Sequence, residues 1–144
     1  MLFLTYLIIV FLFSTPKLVT GYSYNLLTVT NNVNLYQEII LDLLHPSVLK
    51  EIDHYYSKYL KDSPTVYSYH NKVLNVERIE GTIFRVKVRV ESFYGPHISV
   101  GTDELTFKIK SSGVEIEDFK HIKSYKLPKR YEDRIKVGYT NPIP

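Results

Sequence analysis

Hydrophobic and polar residues alternate with a period of two over residues 82–93, and this is the clearest pattern in the chain. Side chains two residues apart lie on the same face of a β-strand, so the alternation predicts a strand with one buried face and one wet face. The buried face would carry Phe84, Val86, Val88 and Val90, and the wet face would carry Ile83, Arg85, Lys87, Arg89 and Glu91.

Three further segments predict strands of the same sheet. The first is long and irregular, which favours a bulge near Asn71. Turn residues at Glu80-Gly81 and Ser111-Ser112-Gly113 separate neighbouring strands. Matching the inward residues pairs Val90 with Phe107 and Val88 with Ile109. The four predicted strands cover residues 65–79, 82–93, 102–110 and 114–122.

The apolar spacing before these strands is helical. It predicts one helix over residues 34–44, capped by Asn34, and a second over residues 47–60. His45-Pro46 separates them, because a residue that precedes proline avoids helical angles. The predicted apolar stripes are Leu35, Ile39, Ile40, Leu43 and Leu44 in the first helix, and Leu49, Ile52, Tyr56, Tyr59 and Leu60 in the second.

These elements predict an α+β domain in which two N-terminal helices pack on a four-stranded antiparallel meander. The nearest known arrangement is a cystatin-like or cone-shaped fold, and this likeness concerns shape alone. A chain of 144 residues is long enough for one such domain, and its 13 tyrosines suit half-buried sheet positions.

The N-terminus predicts export. Residues 2–13 are apolar apart from Thr5 and Tyr6, which fits a secretory signal peptide cleaved after Gly21. No Lys or Arg precedes this run, so an uncleaved membrane anchor is the alternative. The chain contains no cysteine and would need no disulfide outside the cell. The predicted organisation is residues 1–21 signal peptide, 22–33 linker, 34–126 domain and 127–144 basic, proline-containing tail.

Charge is unevenly distributed along the chain. Seven basic residues against two acidic ones follow residue 119, so the C-terminal segment is basic. Such a segment on an exported protein could contact an anionic cell wall or lipid surface, or could simply be solvated. The basic segment is short and carries no nucleic-acid-binding motif, so nucleic acid is not the expected partner.

Several segments resemble a known family. The stretches LLHPSVLKEIDHYYSK, VKVRVESFYGPHISVGTDELTFKI and GVEIEDFKH are similar to small exported proteins of Gram-positive spore-forming bacteria, catalogued as a domain of unknown function. The resemblance covers about residues 40–121, and its most specific part is the aromatic-x-Gly-Pro-His segment with the following Gly101-x-Asp103. It implies export and a shared fold, and it implies no activity.

The predicted strand pairing brings His70, His97, Asp103 and His121 to one end of the sheet, near Tyr94. Histidine and aspartate together could bind zinc or act as a general base. A structural interpretation is also open. Gly95 and Pro96 would bend the chain, and Asp103 would accept hydrogen bonds from loop amides such as that of Gly101.

The sequence therefore leaves the function open between three classes. The first is a non-catalytic binding module that uses the 94–102 loop or the Arg85-Lys87-Arg89 face to contact a cell-envelope protein. The second is a small extracytoplasmic hydrolase or metal-binding protein that uses the His and Asp cluster. The third is an envelope-tethered protein. No catalytic residue, metal ligand or cofactor is predicted, because no nucleophile elbow, phosphate loop or metal motif occurs in the chain.

Overall fold

The computed structural model describes the backbone of residues 26–144 and the side chains of residues 32–144. This part of the chain has the predicted α+β class, with one α-helix and a five-stranded antiparallel sheet. No helix within it is long and apolar enough to cross a membrane. The predicted signal peptide and its cleavage after Gly21 lie outside the described residues. The elements are α1 Leu26–Tyr56, β1 Thr65–Val66, β2 Lys72–Glu80, β3 Ile83–Tyr94, β4 Ile98–Lys110 and β5 Gly113–Ser124.

Helix α1 is continuous through Pro46, so the prediction of two helices is wrong. It also begins at Leu26, inside the segment predicted to be a linker. A proline inside a helix costs about 3 kcal/mol, but each large apolar side chain that is buried contributes roughly 1.5–3 kcal/mol. Burial on both sides of Pro46 therefore outweighs the lost backbone hydrogen bond. The buried side chains of α1 are Leu41, Leu44, Val48, Ile52 and Tyr56.

Most of the predicted first apolar stripe is consequently not buried, although its member Leu44 is. Leu43 and Ile52 lie about two and a half turns apart, so in one straight helix they point in opposite directions. Ile52 is buried against the sheet and Leu43 is 73% exposed. Leu35 and Ile39, on the same side as Leu43, are exposed as well.

The sheet has the order β1-β3-β4-β5, and β2 also pairs with β3. Strands β1 and β2 lie along the same partner because a 3₁₀ turn, Ser68–His70, interrupts the long extended segment that the sequence predicted. The interruption ends directly before Asn71, and a separate bulge follows at Leu74. The alternation in β3 is confirmed, since Val86, Val88 and Val90 are buried against α1.

The predicted register between β3 and β4 is wrong by four residues. Val90 lies opposite Asp103 and Val88 lies opposite Leu105. Residues 98–101, predicted as loop, continue β4, and the connection shrinks to the turn Gly95-Pro96-His97. Gly95 has a φ of 60°, which permits so tight a turn. Because the shift is even, the apolar residues still face the helix.

The C-terminal residues 127–144, predicted to form a tail, pack against the domain. Leu127 and Ile143 are buried, and the side-chain amide of Asn141 hydrogen-bonds both backbone groups of Leu127. A 3₁₀ turn, Lys129–Arg134, is followed by an isolated bridge between Leu60 and Ile135. This segment therefore belongs to the folded domain.

Candidate functional site

Asp103 is a buried carboxylate in the middle of the sheet. It shares the inward face of β4 with Leu105 and Phe107, and none of its surface is exposed. Both of its oxygens have hydrogen-bond partners. The Tyr56 hydroxyl donates to Oδ2 at 2.9 Å, and Nδ1 of His121 lies 2.6 Å from Oδ1. Asp103 thus joins the C-terminal end of α1 to β5.

A β-bulge brings Ser124 into the same network. Thr102 pairs with Lys123 but Asp103 pairs with His121, so Ile122 is an extra residue in β5. In a regular strand His121 and Ser124, three residues apart, would face opposite sides of the sheet. The bulge shifts the alternation, and Nε2 of His121 lies 2.8 Å from the Ser124 hydroxyl. We call Tyr56, Asp103, His121 and Ser124 the Asp103 relay.

Gly101 leaves room for the relay. A Cβ atom at this position would lie 1.9 Å from the Tyr56 hydroxyl oxygen and 3.2 Å from Cε1 of His121. The sequence suggested a turn glycine, but Gly101 is within β4 and its backbone adopts no unusual angle. It is needed because another side chain approaches the strand closely.

Burial and charge set the protonation of the relay. Burial raises the pKa of Asp103, and hydrogen bonds from His121 and Tyr56 oppose part of that rise. Burial, followed by the charge of Asp103, raises the pKa of Tyr56, so its hydroxyl remains a donor. Burial likewise raises the pKa of Tyr55 to about 12. The Tyr55 ring stacks on the imidazole of His121 with 4.9 Å between centroids.

The order of the hydrogen bonds decides what the relay can do. A neutral imidazole that donates its Nδ1 proton to Asp103 has Nε2 free to accept the proton of Ser124. Asp103 then orients the ring, His121 is a potential base, and Ser124 is a potential nucleophile. Part of His121 is open to solvent, since 17% of its side chain is exposed.

Of the four residues predicted to meet at one end of the sheet, only two are in contact. Asp103 and His121 are in direct contact, as the β4–β5 turn predicted. His70 instead packs in an aromatic cluster, 5.1 Å from the ring of Phe93 and 4.7 Å from that of Tyr69. His97 is exposed at the β3–β4 turn. The corrected register explains the position of His97, because β3 and β4 extend beyond Asp103 before they turn. His70 lies outside the paired strands, in the 3₁₀ turn between β1 and β2.

Tyr94 is also an internal residue. It is 6% exposed, its hydroxyl donates to the carbonyl of Asp62 at 2.6 Å, and its ring stacks on that of Tyr131. Burial raises the pKa of the Tyr94 phenol. Tyr94 therefore fastens the C-terminal segment to the sheet. Among the described residues, no group of three His, Cys, Asp or Glu side chains could hold a metal ion.

The wet face of β3 is neutralised by acidic partners. Arg85 binds both Glu77 and Glu117, while Lys87 and Arg89 both bind Glu104, each at 2.7 Å. These hydrogen bonds lower the pKa of Glu104. The three cations that the sequence offered as a contact surface for a cell-envelope protein are thus engaged within the sheet.

A cleft of about 490 Å³ lies between α1 and the segment that enters β2. We call it the α1–β2 cleft. It has no lysine or arginine among its lining residues and two carboxylates. The lining residues are Asn34, Gln37, Glu38, Leu41, Asp42, Ser68, Tyr69 and Asn71.

Asn71 is the unusual residue of this cleft. It is 5% exposed, and neither its Nδ2 nor its Oδ1 has a hydrogen-bond partner within the described residues. An unsatisfied buried polar group costs about 1–3 kcal/mol, and most such groups in proteins are paired. Tyr69, at the rim, is 75% exposed.

Sequence reasoning missed Tyr56, Ser124 and the cleft. In the sequence Tyr56 is one of several apolar positions of a helix. Ser124 faces His121 only because of a bulge, and no turn residue in the sequence indicates that bulge. The cleft had a signal, because Asn34, Glu38 and Asp42 recur every four residues. On one continuous helix this spacing gives a polar face.

Comparison with known proteins identifies a family and no activity. The sequence model of the family described as "Protein of unknown function (DUF3888)" matches residues 36–123. No curated protein and no solved structure shows a significant match to the chain. The matched range contains every cleft residue except Asn34, and all of the Asp103 relay except Ser124.

Proposed function

The chain belongs to this family of unknown function, and we propose that it is a binding module whose ligand occupies the α1–β2 cleft. One observation carries the proposal: Asn71 is buried at the cleft, and neither polar atom of its amide has a hydrogen-bond partner among the described residues. A side-chain amide has donors and an acceptor, so a ligand that also has both would satisfy it. Ligand sites characteristically combine concave surface with a few such convergent polar groups.

The lining chemistry defines the ligand class. Glu38 and Asp42 give the cleft negative charge, which disfavours phosphate and carboxylate ligands. Asn34, Gln37 and Ser68 add groups that pair with hydroxyls. The exposed ring of Tyr69 offers a flat apolar surface at the rim, suited to the face of a sugar ring. The ligand is therefore an uncharged or amino-substituted saccharide.

Export and envelope location complete the proposal. The apolar N-terminal run supports a secreted or extracytoplasmic protein, and an uncleaved anchor is the alternative. Mass spectrometry of the protein recovered from its native host distinguishes them: a chain that begins at Tyr22 supports cleavage, and an intact Met1 supports the anchor. We also propose an origin in Gram-positive spore-forming bacteria, which the sequence resemblance supports. A cystatin-like shape is part of the proposal too, and the packing of one helix on a β-meander supports it.

Isothermal titration calorimetry of the full chain with tetra-N-acetylchitotetraose tests the cleft. Saturable binding is expected, and glycerol 3-phosphate should give none. Tyr69→Ala should weaken binding about tenfold, through loss of ring contact. The matched control is Tyr36→Ala, because Tyr36 is an exposed helix tyrosine outside the cleft.

The proposal fails if the saccharide gives no heat, or if the two tyrosine variants lose affinity equally. Stronger binding of glycerol 3-phosphate than of saccharide would contradict the charge argument. A parallel pull-down of envelope proteins with His97→Ala tests the earlier expectation that the exposed turn contacts a protein partner. If the His97→Ala variant loses a partner, the binding surface is the β3–β4 turn and not the cleft.

A further inference from the structure

We propose that Ser124 is the nucleophile of a second site, one that hydrolyses esters of small acyl groups, with His121 as general base and Asp103 orienting it. This site is separate from the α1–β2 cleft and does not depend on the binding function. The order of contacts supports it: Asp103 Oδ1 lies 2.6 Å from Nδ1 of His121, and Nε2 lies 2.8 Å from the Ser124 hydroxyl. A nucleophile, a base and an orienting carboxylate are the three parts that activated serine requires.

The protein stabilises this order from two sides. Asp103 is fully buried, and its second oxygen accepts from Tyr56, which holds the carboxylate in place. Tyr55 stacks on the imidazole and restricts its rotation. Tyr55 and Tyr56 are thus positioning residues. The bulge at Ile122 is the local irregularity that turns Ser124 towards His121, and bulges commonly occur next to active sites.

The open edge of β5 offers access and an amide donor. The amide of Tyr125 donates to the carbonyl of Val100, so the neighbouring pair Gly101–Ser124 is of the type that shares no backbone hydrogen bond. The amide of Ser124 therefore faces away from β4. In the described sheet β5 pairs with β4 alone, so this amide can donate to the oxygen of an attacked carbonyl.

The chemistry is an acyl transfer in two steps. The Ser124 hydroxyl oxygen attacks the ester carbonyl, His121 Nε2 takes the hydroxyl proton, and the carbon–oxygen bond to the alcohol breaks as His121 returns that proton to the alcohol. A water molecule then gives a proton to Nε2 while its oxygen attacks the carbonyl of the acyl-serine. The bond between the acyl carbon and Oγ of Ser124 breaks as Nε2 returns the proton to Oγ, which releases the carboxylic acid and restores Ser124. Gly101, Tyr55 and Tyr56 crowd the inner side of the relay, so the acyl group must be small.

The first test uses a fluorophosphonate probe and p-nitrophenyl acetate with the full chain at pH 8. Intact-mass and peptide spectra should place the phosphonyl adduct on Ser124, and Ser124→Ala should remove both the adduct and ester turnover. Asp103→Asn should slow labelling about 10²–10⁴-fold, because the base loses its orientation. The control is Ser112→Ala in the exposed β4–β5 turn, which should label normally. A folded protein without an adduct on Ser124 overturns the proposal.

A second test leaves Asp103 and His121 unchanged. The chain has no cysteine, so Ser124→Cys creates the sole thiol, and Ser112→Cys provides an exposed control. If His121 activates this position, iodoacetamide alkylation at 124 should persist at least one pH unit below that of the control, which should follow an ordinary thiol near pH 8.5. Identical pH profiles for the two variants would show that the relay is only a structural clamp.

Discussion

The Asp103 relay and the α1–β2 cleft differ in how their buried polar groups are hydrogen-bonded. In the relay, both oxygens of Asp103 and both ring nitrogens of His121 have partners. In the cleft, both polar atoms of Asn71 lack one within the described residues. A satisfied network stabilises the fold by itself, whereas an unsatisfied amide is retained at a loss of stability. Removal of a polar group from the relay should therefore lower the stability of the fold, whereas removal of the Asn71 amide from the cleft should raise it.

Gly101→Ala should have the largest effect, because the new methyl group would overlap the Tyr56 hydroxyl. Overpacking alone costs about 1–3 kcal/mol, and separation of Tyr56 from Asp103 adds to it, so we expect a loss of about 3 kcal/mol or more. Urea denaturation measures the change. In a Tyr56→Phe background the alanine should cost less. An equal cost in both backgrounds would contradict the close approach.

Tyr56→Phe alone should destabilise the protein by about 1–3 kcal/mol, because one oxygen of buried Asp103 loses its donor. Tyr55→Phe is the matched control, since the Tyr55 hydroxyl donates at the surface to the carbonyl of Pro144 and should matter less. Equal urea midpoints for the two variants would show that the hydrogen bond from Tyr56 to Asp103 does not stabilise the fold.

Asn71→Leu should stabilise the unliganded protein by about 1 kcal/mol or more. The change replaces a buried amide, which has no partner in the part of the chain that the structure describes, by an apolar side chain of similar size. The same change should abolish saccharide binding, which is the usual opposition of stability and function. Asn141→Leu is the control and should destabilise, because the Asn141 amide is paired with Leu127. If Asn71→Leu destabilises as well, the buried amide has a structural role.

Glu104→Gln should have the smallest effect and should depend on pH. Hydrogen bonds from Lys87 and Arg89 lower the pKa of Glu104. Its ionised form therefore stabilises the fold above the pKa of the unfolded chain, and this contribution is lost as the pH falls through the folded pKa. The variant should show a flatter decline of urea midpoint below pH 5 than the native protein. Parallel declines would mean that the pairs on this face contribute nothing.

The sequence predicts the sheet well wherever one signal dominates. The alternation of β3 and the turns at Gly81 and Gly113 define the strands and their faces. The short β4–β5 turn fixes the register closely enough to place His121 opposite Asp103. The β3–β4 register was harder to predict, because Ile98-Ser99-Val100 suits either a loop or a strand and only tertiary pairing decides.

The remaining features depend on tertiary packing. Pro46 ends a helix on local grounds, but burial of Leu44 and Val48 on either side keeps α1 intact. Ser124 contacts His121 only because of the bulge at Ile122. A spacing of three residues in a strand does not indicate such a contact. The sequence indicates Asn71 only as the site of an irregularity in the first predicted strand. The burial of its amide depends on how α1 lies across the entry to β2.

The central claim is that the α1–β2 cleft receives a ligand which pairs with Asn71. Nuclear magnetic resonance of the side-chain amides of the full chain, titrated with tetra-N-acetylchitotetraose, tests it most directly. The Asn71 amide resonances should shift and saturate, while those of Asn141, already bonded to Leu127, should stay unchanged. Asn71 resonances that do not move while the saccharide binds elsewhere, or no binding at all, would contradict the account.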